Sequence, residues 1–105
     1  MTDMYSNMPE KFRWIPLREV LAYEPEMERL GVSPVARSPR GFLTAYKAGR
    51  TAAATKRTAV PDHSGTPQTW GQRREQFIAR HLAQYEKNPT YRRWLALVAW
   101  AYRPL

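Results

Sequence analysis

Apolar and polar positions recur with helical spacing along most of this chain, and most clearly over residues 66–103. Within that stretch Trp70, Phe77, Ile78, Leu82 and Tyr85 fall inside about 140° of a helical wheel. After Asn88-Pro89 a second register begins, with Tyr91, Trp94, Leu95, Val98 and Tyr102 on one face. The pattern predicts two helices, opened by Thr66-Pro67 and Asn88-Pro89 and joined with no spare residues. Upstream, Leu17, Val20 and Leu21 predict a short helix over residues 16–24, which Pro25 ends or restarts. Residues 26–30 give one more turn, stopped by Gly31. Ser38-Pro39 is expected to open another helix, with Phe42, Leu43 and Tyr46 as its apolar stripe and Gly49 as its stop.

Two segments fall outside any register. Residues 1–15 read as an irregular arm carrying Tyr5, Phe12, Trp14 and Ile15. Aromatic side chains in such an arm lie across something apolar, either the protein's own core or a partner. Residues 50–65 are built from Ala, Thr, Lys56 and Arg57, with Val60 as the only large apolar group. Such a segment buries too little surface to offset its ordering entropy, so it is expected to be a flexible basic linker. The whole predicts one all-α domain: a small bundle of four to five short helices with an irregular N-terminal arm and a long basic loop.

The second helix of the C-terminal pair has an unusual pattern. Leu97 and Trp100 fall nearly opposite its first apolar face, beside Ala96, Arg93 and Arg103. A helix apolar on two sides is buried on both, with the N-terminal arm as cover, or it shows one side to a partner. A Trp beside Arg suits an interface anchor. Trp100, Leu97, Trp14 and Phe12 are therefore the candidate protein-docking residues.

Charge changes the picture more than composition does. The 105 residues carry 17 Lys and Arg against 9 Asp and Glu, a formal net charge of +8. Residues 1–36 hold four basic and six acidic groups, and residues 37–105 hold thirteen basic and three acidic ones. A basic body behind a slightly acidic front suggests nucleic acid or another polyanion as partner. Arg73, Arg80 and Lys87, seven apart, form a line on one flank of the first long helix, with Glu75 and Glu86 on the other. Phosphate-backbone contacts are expected from that line, from Arg50, Lys56 and Arg57, and from Arg92 and Arg93. Arg37 and Arg40, near an expected helix N-terminus where cations are disfavoured, hint at the same role. The acidic Glu24, Glu26 and Glu28 suit the helix restart, or pair with the basic half.

Other chemistry is thin. With no cysteine there is no disulfide, thiolate metal site or cysteine nucleophile. Arg74 and His81 share the apolar sector, where an Arg snorkels or meets a carboxylate and a His is usually hydrogen-bonded core. His63 is the only other histidine, so no metal site of ordinary spacing is expected. Asp62, His63 and Ser64 are adjacent in sequence and cannot face one another as a catalytic triad does. No Gly-rich phosphate loop is present, and the chain is expected to be non-enzymatic with no cofactor. A base-reading helix-turn-helix is disfavoured because the second helix is the more apolar one. The longest apolar run, Trp94 to Tyr102, is nine residues, too short to span a bilayer. Met1 to Ile15 is polar and broken by Pro9, unlike a signal peptide. The expected place is the cytoplasm or an assembly formed there. Two functions are open: binding a nucleic acid or nucleoprotein assembly, or serving as a structural or regulatory subunit of a protein assembly, such as a minor virion component or small inhibitor.

Overall fold

A computed structural model describes residues 11–61 and 65–105; Tyr5, Asp62, His63 and Ser64 lie outside them. The described residues form an all-α fold of six helices: α1 (Leu17–Ala22), α2 (Glu24–Leu30), α3 (Phe42–Gly49), α4 (Ala52–Lys56), α5 (Trp70–Lys87) and α6 (Tyr91–Ala99). α5 is the axis of the bundle, packing against α6 on one side and α4 on another, while α2 covers α6 and α3 meets α4. No helix among the described residues is long and apolar enough to cross a membrane.

α5 starts three residues past the expected Thr66-Pro67 pair and α6 two residues past Asn88-Pro89. Threonine side chains decide this. Thr69 accepts from the Gln72 backbone N–H while the Gln72 side chain accepts from the Thr69 N–H, a capping box. Thr90 likewise accepts from the Arg93 N–H. Each cap satisfies N–H groups that a first turn leaves without partners. α3 also begins late, at Phe42 rather than at Ser38-Pro39. Before it the chain folds back so tightly that a Cβ on Gly41 would lie 2.1 Å from the Val35 carbonyl oxygen.

The expected flexible linker is largely structured. Thr51 caps α4 by accepting from the Ala54 N–H. Thr55 is fully buried where α4 approaches α3. Gly49 permits this, since a Cβ there would sit 2.4 Å from Thr55 Oγ1. Past α4, the Val60 N–H donates to the Gln68 carbonyl and the Trp70 N–H to the Thr58 carbonyl, both at 2.9 Å. This two-bond clamp pins the segment to the start of α5. Short-range caps and one buried threonine supply what its composition does not.

α6 ends in a turn that reshapes the core. The Tyr102 N–H donates to the Leu97 carbonyl and the Ala101 N–H to the Val98 carbonyl. That is a Schellman closure, with Ala101 in the left-handed region at φ 62°. Trp100 thus leaves the helical wheel and enters an aromatic column. Its ring stacks on Phe42 at 4.7 Å and on Phe77 at 4.4 Å, and Phe77 stacks on His81 at 3.9 Å. Trp70 closes on Phe42 at 5.9 Å.

The two-sided helix is therefore buried on both sides. Leu97 is fully buried and Trp100 is 8% exposed, so neither presents a free apolar face. The arm supplies cover, as one of the two expectations had it. Phe12 is buried against Tyr102, and Trp14 packs on Phe42 and Tyr46. The Ile15 N–H donates to the Ala101 carbonyl, and the Tyr46 hydroxyl donates to the Ile15 carbonyl, both at 2.8 Å. Phe12 and Trp14 thus belong to this protein's own core, not to a docking surface.

Arg74 is the hinge pin of that arrangement and is only 2% exposed. Its guanidinium donates to the carbonyls of Trp100 (2.7 Å), Phe12 (2.8 Å) and Ala101 (2.9 Å). It also lies 4.3 Å from the Trp14 ring centroid. Two of the acceptors are carbonyls freed where α6 ends, so a cation sits at a helix C-terminus, where the dipole favours it.

Candidate nucleic-acid interface

The cations that the sequence groups together are separated by the fold according to what each can reach. Several close helix ends. Arg92 donates to the Leu30 carbonyl at the end of α2. Arg93 donates to the Asn88 carbonyl at 3.3 Å, just past α5. Arg57 donates to the Ala53 carbonyl and Arg37 to the Val32 carbonyl, both at 3.2 Å. Others meet the acidic front half: Lys47 pairs with Glu24 at 2.7 Å, Arg29 with Glu26 at 2.7 Å, and Arg103 with Glu19. Arg29 first, then the Tyr91 hydroxyl, hold the Glu26 carboxyl below its ordinary range. Arg50 is exposed in a left-handed cap after α3, and Lys87 is exposed at the end of α5. Lys56 lines a separate hollow with Lys11, Phe12, Trp14 and Arg74.

Arg73 and Arg80 do come together. They stand two turns apart on α5, about 10 Å along its axis. Both line an open depression of about 510 Å3, walled by Ser33, Val35, Gln68, Gln76, Phe77 and Trp100. A neighbouring hollow of about 340 Å3 shares Val35, Ala36, Arg73 and Trp100 with it and adds Arg40, Val60 and Trp70. The two form one groove along the α5 flank. Three arginines line it, and no carboxylate of a described residue does.

Its polar groups are ordered by one another. Arg73 Nε donates to Gln68 Oε1 at 2.9 Å, and Gln68 Nε2 donates to Gln76 Oε1 at 3.0 Å. This chain orders Arg73 and Gln76 at the groove, and its use of the Gln76 oxygen leaves the amide N–H groups as donors. Val35, 76% exposed, stands at the rim. The groove was only half visible in the sequence. The seven-residue spacing identifies Arg73 and Arg80 and sets Gln76 between them on α5, but Gln68, Val35 and Arg40 join them only through the fold-back before α3 and the clamp before α5.

His81, at the end of the ring column, is half-buried. Burial, and secondarily the neighbouring Arg80 charge, push its imidazole below the ordinary value of 6.5. A histidine that holds its proton less well when folded makes unfolding take up protons in acid. Stability should therefore fall as pH drops through about 6.5, levelling off once the folded-state imidazole is protonated too. The urea midpoint is expected to be lower at about pH 5.5 than at about pH 7.5, and His81→Gln should shrink that difference. An unchanged difference in the variant would assign the slope to another group.

A second hollow, lined by Tyr23, Tyr85, Pro89, Thr90, Tyr91 and Trp94, lies at the α5–α6 junction. It carries no cation among those six residues. Against protein-family models, curated proteins and solved structures alike, the chain finds no match.

Proposed function

We propose that this protein works by binding, without catalysis, and that its partner is a nucleic acid held mainly through phosphates on the Arg73–Arg80 flank. One observation carries the proposal: an arginine-lined groove with no described carboxylate in its wall. The acidic groups of the front half support it, because Glu19, Glu24 and Glu26 are engaged by Arg103, Lys47 and Arg29, away from the groove. The burial of Leu97 and Trp100 weighs against docking through those two side chains. Arg50, Lys87 and Lys56 extend the positive field beyond the groove, and Arg57, Arg92 and Arg93 stay exposed enough to meet a phosphate beside their carbonyl partners.

A band-shift titration at two salt concentrations tests this. If about three phosphates are neutralised, affinity for a duplex should fall about 40-fold between 50 and 200 mM salt, and for a single strand about 20-fold. Arg73→Ala with Arg80→Ala should flatten both slopes. No shift even at low salt would defeat the proposal.

A further inference from the structure

We infer that the groove takes one unstacked base of a single-stranded nucleic acid, with phosphates on either side held by Arg73 and Arg80. This rests on the nucleic-acid reading above and narrows it to a strand class. Phosphate neutralisation alone asks for cations on an open face. Here the cations border a concavity whose walls are apolar, from Val35, Val60 and Phe77. A bare phosphate leaves such walls unfilled, whereas a base covers them.

The floor also presents hydrogen-bond donors. Trp70 is 5% exposed and Trp100 is 8% exposed, and both line the groove. Among the described residues neither indole N–H has an acceptor. Donors that reach an open groove without a protein acceptor can be met by a ligand rich in acceptors. The ring faces of Trp100 are already covered by Phe42 and Phe77. The column therefore offers ring edges to the groove, and aromatic edges carry the positive end of the quadrupole. Edges and N–H donors suit the carbonyl and ring-nitrogen acceptors of a base, and the Gln76 amide adds a second adaptable contact. Paired bases in a duplex keep those edges occupied and stay stacked, so they cannot turn into the groove.

Fluorescence anisotropy with single-stranded and duplex oligonucleotides of equal length, at one salt concentration, decides the matter. Single strands are expected to bind at least about tenfold tighter, in line with the contribution of one sequestered base. Val35→Glu and Gln76→Glu, both at exposed positions, should each weaken single-strand binding about tenfold or more. Ala48→Glu, the same charge change on exposed α3 surface, should weaken it by less than about threefold. Equal affinity for the two strand forms, or Val35→Glu no more harmful than Ala48→Glu, would overturn the groove inference and leave the nucleic-acid reading standing. Binding of neither form at low salt overturns both. Displacement of the bound strand by polyglutamate at equal charge would also overturn the inference, in favour of an acidic protein segment.

Discussion

Replacing Arg74 with methionine is expected to destabilise the fold by about 3–5 kcal/mol, the range seen when one partner of a buried charge network is removed. The variant keeps the volume and loses three donors, so the carbonyls of Phe12, Trp100 and Ala101 lose them together. Each buried acceptor left unmade, those of Phe12 and Trp100 first because the Ala101 carbonyl keeps the Ile15 N–H, costs about 1–3 kcal/mol, and loss of the contact with Trp14 adds about 1 kcal/mol. Relief from burying a charge offsets part of that sum, which is why the expected net stays below it. Against a total of about 5–15 kcal/mol for a domain of this size, the change is severe. Arg74→Lys keeps the charge without the planar fork and should fall between the two. The urea midpoint reads the cost, and exchange of the Ile15 amide, which donates to the Ala101 carbonyl, reads release of the arm. A methionine variant with an unshifted midpoint would mean that water serves those carbonyls equally well, and that the arm is held by its rings alone.

The fold class was legible because it depends on periodicity, and periodicity survives without knowledge of contacts. The boundaries were less so, and two helix ends show why. α2 and α6 close with the same pair of backbone bonds, to Met27 and Glu28 in one case and to Leu97 and Val98 in the other. At α2 the left-handed residue is Gly31, which announces itself. At α6 it is Ala101, whose left-handed backbone costs about 1–2 kcal/mol and gives no sequence signal. Once that end is missed, the wheel runs on through Trp100 and Tyr102, which lie past the last helical residue, Ala99. The linker is a comparable case. Its ordering comes from Thr55 meeting Gly49, and no composition rule anticipates a single close approach.

For the candidate site, charge was a good guide to sign and a poor one to place. The eight expected phosphate contacts include Arg92, Arg93 and Arg57, which the fold sets on backbone carbonyls. An arginine beside a helix end is indistinguishable in sequence from one meant for a phosphate, since both want an anion or its equivalent. Arg73 and Arg80 were distinguishable because spacing fixes two residues on one helix face whatever surrounds them. Arg40, Gln68 and Trp100 come to the groove from three other segments, and only packing brings these together.

Trp100→Ala is the second large effect, expected to cost about 3–5 kcal/mol, as large aromatic truncations in cores do. The docking reading requires the opposite: an intact fold that has lost a partner. Here the ring lies between Phe42 and Phe77, so its removal leaves a void spanned by both neighbours. Trp100→Glu should be worse still, because a carboxylate would take the place of a ring between Phe42 and Phe77. Thermal melts followed by near-ultraviolet circular dichroism separate the cases; a Trp100→Glu variant with wild-type midpoint and signal would return Trp100 to the surface. Trp100→Phe is the informative control. It keeps a ring in the column and is expected to hold most of the stability, yet it deletes the indole N–H offered to the groove. If that variant stays folded, a weaker grip on single strands would locate the donor in the site, and an unchanged one would leave Trp100 as scaffold alone.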